Sequence, residues 1–316
     1  MNIDLPASSL SEHNALNRAD FHKQLHQAYL DNPTHEPKVC RLLREHCAGT
    51  AQNLHYKFEI AYGLQPDQPV RFAEALFALK DEEGKVIPSP HVLHVLQTHR
   101  RDLRLDSRFR FWLGFTAAEE FFTNPPSPSE NFTHLSINIP AYAAASPFFT
   151  ARFEHGLQLL QASHPGKGLI MEMLEHQPWN SAQHRCLRAL QEYGLGLAVD
   201  DYGAPDGHHS PRSLQIAREF SKAVPPLVKI DGALTTDCLK TGDFQSLTDR
   251  LNEVQKHSPN ALLVFEWVQN AEQVATITQE MHKAGINMPI HYVQSHGFNA
   301  DERNKVLATK ARTPQL

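Results

Sequence analysis

The stretch GLIMEMLEHQPWNSAQHRCLRALQEYGLGLAVD, residues 168–200, opens on a short apolar run (168–173). It passes through a helical pattern (180–193) and returns to a second apolar run (196–200). Apolar runs of this length read as buried strands, and the segment between them as an amphipathic helix. Two strands joined through a helix make a parallel βαβ unit.

The same rhythm continues on both sides. Strands are expected at 58–64, 71–78, 134–139, 226–230, 261–266 and 290–293 as well. Helical patterns fall near 88–97, 108–122, 147–163, 211–223, 243–257 and 271–284. Eight strands alternating with helices match the pattern and the roughly 250-residue size of a TIM-type (β/α)8 barrel. A doubly wound open sheet alternates in the same way, so periodicity leaves it open. The first two strands, joined only by the turn around Pro66–Pro69, read as a hairpin, which makes one strand antiparallel. Residues 51–316 are thus assigned to the barrel domain, and residues 1–50 to a helical N-terminal extension. In that extension Leu16, Phe21, Leu25 and Tyr29 recur at helical spacing, and Val39, Leu42, Leu43 and Cys47 mark a second helix. Whether these helices cap the barrel or pair with a second copy is left open. The proline-rich 123–131 reads as a loop.

Composition narrows the function. The net charge of −5 comes without a long basic run, which argues against duplex or single-strand nucleic-acid binding. The four cysteines form no Cys-x-x-Cys pair, so neither a disulfide framework nor a structural zinc site is expected. No membrane span and no signal peptide are read, and a cytoplasmic location is the expectation. The 20 histidines are mostly dispersed and read as ordinary surface or boundary residues.

Polar residues in the strands are more informative. Chemistry in a parallel barrel gathers at the C-terminal strand ends, and there the sequence places Glu74, Asn138, Glu172, Asp200-Asp201, Lys229 with Asp231, Glu266 and Gln294. So many buried polar groups in series are costly unless something pairs them. Hard oxygen donors suit Mg²⁺ or Mn²⁺ rather than zinc, and adjacent aspartates suit two ions. From the residues alone, metal-assisted hydrolysis of a phosphate ester is a reasonable reading.

The motifs also resemble a known family, in order, over residues 54–299. Gln65-Pro66 with Phe72-Ala73-Glu74-Ala75-Leu76 is similar to the opening of the EAL domain, named for that tripeptide. Leu135-Ser136-Ile137-Asn138-Ile139 resembles its asparagine strand, Glu172-Met173-Leu174-Glu175 its Glu-Leu-Thr-Glu, and Val199-Asp200-Asp201-Tyr202-Gly203 its Asp-Asp-Phe-Gly. Leu227-Val228-Lys229-Ile230-Asp231 resembles Leu-Lys-Ile-Asp, Phe265-Glu266-Trp267-Val268 resembles Glu-Gly-Val-Glu, and Tyr292-Val293-Gln294 the last strand. The resemblance implies a barrel with one antiparallel strand, cyclic di-GMP as ligand, and hydrolysis to linear pGpG with Mg²⁺ or Mn²⁺. It implies that Glu74, Asn138, Glu172 and Asp200 hold one ion, and Asp200 with Asp201 a second. Lys229 and Glu266 would serve catalysis, and Glu175 would hold the loop after Asp201. Gln65, Leu76 and Gln294 would face substrate, with Gln294 also bonding behind the ligands. A homodimer and a regulatory protein partner belong to the same expectation. The alternative is a catalytically degenerate EAL domain that serves as a cyclic di-GMP receptor or protein-interaction module.

Departures support that alternative. Ala78 stands where the family has an arginine on a substrate phosphate; losing such a contact costs about 1.5–3 kcal/mol, roughly ten- to a hundredfold in affinity. Lys80 is the better substitute and Arg71 the poorer one, by strand alternation. The loop 203–214 is longer than the family's and carries His208-His209, read as a solvated insertion or a pH-sensitive element. Leu174, Trp267, Gln269 and Ser295 replace threonine, glycine, glutamate and glycine. Trp267 either fills part of the nucleotide pocket or stacks on a guanine.

Overall fold

The structure is a computed structural model. It describes the chain apart from residues 1–6, 31–36, 66–69, 99–104, 128–129, 140–146, 174–180, 205–210, 222–223 and 313–316. Two helices come first, α1 (Leu10–Leu30) and α2 (Lys38–Ala48), followed by the strands β1 (Leu54–Gly63), β2 (Phe72–Lys80) and β3 (Val86–Ile87). Then α3 (Ser89–Thr98) and α4 (Leu105–Thr123) lead into the alternating part. This runs β4 (His134–Asn138), α5 (Pro147–Ser163), β5 (Gly168–Met173), α6 (Ser181–Gln191), β6 (Gly196–Tyr202) and α7 (Pro211–Glu219). It continues through β7 (Leu227–Ile230), α8 (Gly232–Thr241), α9 (Gln245–His257), β8 (Leu262–Glu266), α10 (Ala271–Lys283), β9 (Ile290–Gln294) and α11 (Ala300–Arg312).

The strands close into a ring, β1-β9-β8-β7-β6-β5-β4-β2, sealed by pairing of β1 with β2, so the open sheet is excluded. β3 adds a two-residue strand outside the ring, on β2. β2 and β4 to β9 run parallel around the ring, whereas β1 is antiparallel to both its neighbours, as the expected hairpin requires. A ring covered by helices buries both faces of its strands, which is why residues 168–173 read as an unbroken apolar run. Leu169, Met171 and Met173 face the helices, while Ile170 joins Phe72, Leu227, Leu262, Val264 and Tyr292 inside the barrel. This inner cluster fills the foot. Phe72 meets Tyr292 edge-on at 5.2 Å, and the Tyr292 hydroxyl donates to the Val70 carbonyl at 2.6 Å.

The N-terminal helices cap the barrel wall. Phe21, Leu25, Val39, Leu42 and Leu43 share a buried cluster with Leu54 of β1, Leu79 of β2 and Trp112 of α4. Phe21 stacks on Trp112 at 5.6 Å. Each large apolar side chain buried here contributes about 1.5–3 kcal/mol relative to exposure. Leu16 does not join them and is exposed. Polar contacts fix the docking: Asn14 donates to the Phe115 carbonyl at 3.2 Å, and Arg152 pairs with Asp20 at 3.2 Å.

His13 of α1 is 3% exposed, packed edge-on against Phe111 and Phe115. Burial, with His155 and Arg152 nearby, depresses its pKa to about 4. A histidine whose folded pKa lies below its unfolded value contributes stability above pH 6.5 and loses it as pH falls towards 4. From pH 7 to pH 5 the wild-type protein is expected to lose roughly 2 kcal/mol that His13→Phe retains. Equal losses in urea unfolding at both pH values would refute this.

Three elements were not foreseen: β3, α8 and α11. α8 explains one misread residue. Asp231 sits just past β7, but its Oδ1 accepts the Leu234 N–H at 2.8 Å. It caps α8 rather than joining the carboxylates at the strand ends. Among the described residues no helix is long and apolar enough to cross a membrane.

Candidate functional site

Because seven strands run parallel, their C-terminal ends share one rim. Alternation along the strands turns Glu74, Ser136, Asn138, Glu172, Asp200, Lys229, Glu266 and Gln294 inward near that rim. Register brings them level: Asn138 pairs with Glu172, and Glu266 with Gln294. The inner face thus changes from hydrocarbon at the foot to oxygen and nitrogen at the mouth.

Lys229 lies at the centre and is 2% exposed. Its Nζ is 2.8 Å from Asp200 Oδ1, 3.0 Å from Glu74 Oε2, 3.1 Å from Glu266 Oε1 and 3.3 Å from Glu172 Oε1. Asn138 donates to Glu74 Oε1 at 2.8 Å, and Gln294 donates to Glu74 Oε2 at 2.6 Å. Ser136 donates to Glu172 Oε1 at 2.7 Å. Ser136 was missed in the sequence, although it faces inward two positions before Asn138.

Four carboxyls around one ammonium leave an excess of negative charge, and protonation absorbs part of it. Burial raises the Glu74 carboxyl, but Lys229 with the amides of Gln294 and Asn138 outweighs burial and holds it below the usual range. Burial, then repulsion from Glu74, lifts Glu172 well above that range. Burial pushes Glu266 up to about 8, against the pull of Lys229. Burial opposes the Lys229 charge, yet Asp200, Glu172, Glu266 and Glu74 hold its pKa well above normal.

Asp201 departs from the inward row. The register between β6 and β7 slips between Val199 and Tyr202, and at this bulge Asp201 takes φ 50°. Bulges re-aim side chains; here Asp200 stays inside and Asp201 is exposed. Tyr202 is buried again and donates to Glu253 at 2.6 Å, pinning the strand end.

Among the described residues no three His, Cys, Asp or Glu side chains form a cluster able to hold a metal ion; the ammonium stands among the carboxyls instead. The donor set nevertheless fits a hard divalent cation. It offers four carboxyls and an amide, and Glu172 Oε2 is fully buried with no hydrogen-bond partner. The raised carboxyls hold protons that a cation would displace.

Several expected residues fall elsewhere. Gln65 is not at the mouth. β1 runs downward, Leu64 N–H bonds the His291 carbonyl near the start of β9, and Gln65 follows it at the foot. The antiparallel strand that closes the ring thus carries Gln65 away from the carboxyls. Arg71 is also at the foot, where its guanidinium bonds the Glu130 carbonyl at 3.3 Å. Lys80 ends β2 beyond the ring, opposite Val86 of β3. Leu76 is half-buried on the Glu74 side of β2, nearer the mouth. Glu175, His208 and His209 lie outside the described residues.

The reversal of β1 brings up residues that sequence reading passed over. Lys57 lies opposite Leu76, and Glu59 opposite Glu74. Lys57 Nζ is 2.9 Å from His296 Nε2, and His296 Nδ1 is 3.6 Å from Glu59. The signal was present in the alternation of Tyr56-Lys57-Phe58-Glu59-Ile60, which puts Lys57 and Glu59 on one face.

The EAL domain family model matches residues 50–280. No curated protein matches the chain. Among solved structures, the FimX EAL domain from Pseudomonas aeruginosa bound to c-di-GMP aligns with TM-score 0.60 at 16% identity, covering 84% of this chain and 96% of that one. The PaMucR phosphodiesterase in complex with c-di-GMP aligns with TM-score 0.59 at 17% identity, covering 83% and 96%. An EAL domain protein from Listeria monocytogenes EGD-e aligns with TM-score 0.51 at 19% identity, covering 83% and 94%. The structural likenesses carry the fold, and the family match spans most of the chain, from the start of the barrel into α10. With an antiparallel strand closing the ring and the expected acids at its mouth, the chain belongs to the EAL domain family.

Proposed function

We propose that this chain hydrolyses cyclic di-GMP to linear pGpG with the help of divalent metal ions. The observation that carries the reading is the convergence of Glu74, Glu172, Asp200 and Glu266 on Lys229, all within 3.3 Å of its Nζ. Such a concentration of buried acid is costly to a fold and pointless for packing. Glu74, Asn138, Glu172 and Asp200 would hold one Mg²⁺ or Mn²⁺, and Asp200 with Asp201 a second. Bound there, such ions would supply charge neutralisation and would acidify a water for attack.

The chain's own groups do the remaining work. Lys229 offers a fixed ammonium to the charge that develops on phosphate oxygens, held in place before the reaction begins. Burial pushes the Glu266 carboxyl up towards the neutral range, which suits a group that gives and takes a proton. Asn138 and Gln294 hold Glu74 from both sides, so its orientation does not depend on ligand. Positive charge absent at Ala78 is available on the neighbouring strand from Lys57, whose ammonium leans on His296 at the mouth.

One observation favours a receptor that binds without cleaving: Ala78 itself, where the family resemblance calls for arginine. A single experiment separates the readings. The protein is incubated with cyclic di-GMP and Mn²⁺ or Mg²⁺, and pGpG is followed by chromatography. Calorimetric binding is measured in parallel with Ca²⁺. Metal-dependent pGpG formation is the expected result. Binding without turnover would make the chain a receptor, and neither would defeat both readings.

A further inference from the structure

Trp267 is the most exposed of the large apolar side chains described, at 55%. It immediately follows Glu266, and it occupies the left-handed region at φ 59°. For a bulky residue that conformation is strained and persists only when its surroundings enforce it. Here both peptide groups are held: Trp267 N–H donates to the Gln294 carbonyl at 3.0 Å, and its carbonyl accepts from Gln269 Nε2 at 2.7 Å. The indole is seated as firmly as the backbone. A Cβ built on Gly232 would come within 2.3 Å of two carbons of its five-membered ring, so that ring lies directly over the glycine at the start of α8.

One side of the indole is thus backed by the main chain at Gly232, and the side chain stays more than half exposed. It borders a cavity of about 620 Å³, whose lining includes Gly203, Ala204, Leu234, Asp237 and Arg250. Strain spent on exposing an aromatic ring beside an anionic catalytic centre has no packing benefit. A flat ring held rigidly on one side and exposed beside a cavity is what base stacking requires, and stacking is strong for purines on tryptophan.

We propose that Trp267 is the stacking platform for one guanine of a cyclic dinucleotide, read at its edges by Asp237 and Arg250. A carboxylate accepts from the N1–H and N2–H groups of guanine, and a guanidinium donates to O6 and N7. Adenine lacks the first pair and presents a donor where guanine has O6, so the site prefers guanine. The inference rests on the cyclic di-GMP reading above and assigns it a base subsite.

The test uses the full chain, with Ca²⁺ in place of the active metal and calorimetry as readout. Trp267→Ala is expected to weaken cyclic di-GMP binding about tenfold or more, and Trp267→Phe to keep it within a few-fold. Gly232→Ala is expected to behave like Trp267→Ala, because its methyl displaces the indole. Trp267→Gly relieves the left-handed strain, so its melting temperature should rise while affinity falls, a split that a purely structural tryptophan would not give. Ligand should change the indole fluorescence of the wild-type protein and leave that of Trp267→Phe unaltered. If the wild type does not bind, the cyclic di-GMP reading fails. If it binds while Trp267→Ala binds equally well, the platform fails. Equal affinity for cyclic di-AMP would overturn the roles of Asp237 and Arg250.

Discussion

Lys229→Met is expected to lose turnover about a hundred- to a thousandfold and, in metal-free buffer, to unfold roughly 3–5 kcal/mol more easily than the wild type. The reason is electrostatic. One ammonium stands within 3.3 Å of four carboxyls, those of Glu74, Glu172 and Asp200 buried and that of Glu266 partly so, and methionine fills its volume without its charge. Remaining repulsion must then be relieved by protons. Glu172 and Glu266 are already raised in the wild type. A carboxyl with a raised folded pKa favours the fold below its unfolded pKa and costs stability as pH rises through the folded one. The variant's deficit should therefore narrow on acidification from pH 8 towards pH 5. Mn²⁺ should also restore more stability to the variant than it adds to the wild type, since the cation takes over the neutralising role. Thermal melts across pH and Mn²⁺ concentration decide the matter. A metal-free midpoint equal to that of the wild type would remove the central role given to Lys229. An equal response of both proteins to Mn²⁺ would count against a metal among these carboxyls.

Glu74→Ala is expected to abolish pGpG formation and weaken stabilisation by Mn²⁺, while the barrel stays folded. Glu74 accepts from three donors: Asn138 at 2.8 Å, Gln294 at 2.6 Å and Lys229 at 3.0 Å. Removing it takes the acceptor from Asn138 and Gln294, at about 1–3 kcal/mol for a buried orphan, while Lys229 keeps Asp200, Glu266 and Glu172. Against this, the repulsion that Glu74 exerts on Glu172 and Glu266 disappears. The two effects oppose, so a modest net loss of stability accompanies a complete loss of function. Circular dichroism, metal-dependent melting and chromatography measure the three quantities. Turnover at the wild-type rate would sink Glu74 as a metal ligand.

Much of this architecture was readable in the residues. Strand 168–173 and helix 147–163 lie where the sequence places them, because burial on one or both faces imprints a period that the chain cannot conceal. Polar residues in those strands stood out for the same reason, and Glu74, Asn138, Glu172, Asp200, Lys229, Glu266 and Gln294 do converge. What escaped depended on height along the strands and on local capping. The hairpin itself was legible, but Gln65 falls at the foot and Lys57 nearer the mouth, because alternation alone gives the face of a strand residue, not its height in the barrel. Asp231 looked like another acid of the mouth until the helix that it caps appeared. The strain at Trp267 had one sequence signal, the glycine that the resembled family carries there, but that the tryptophan keeps φ 59° is legible only in coordinates.

The reversed strand has a mechanical corollary. In a barrel that opens with an upward strand, an N-terminal extension is delivered to the foot, remote from the chemistry. Here Leu54 enters opposite Leu79, near the end of β2 that carries the mouth, and only residues 49–53 separate it from α2. The two N-terminal helices are therefore tethered to the working rim by a short leash. Three residues past its attachment sits Lys57, followed by Glu59 beside Glu74. A shift of α2 along the wall would be felt first at the rim where the carboxyls gather, and only afterwards by the hydrocarbon floor.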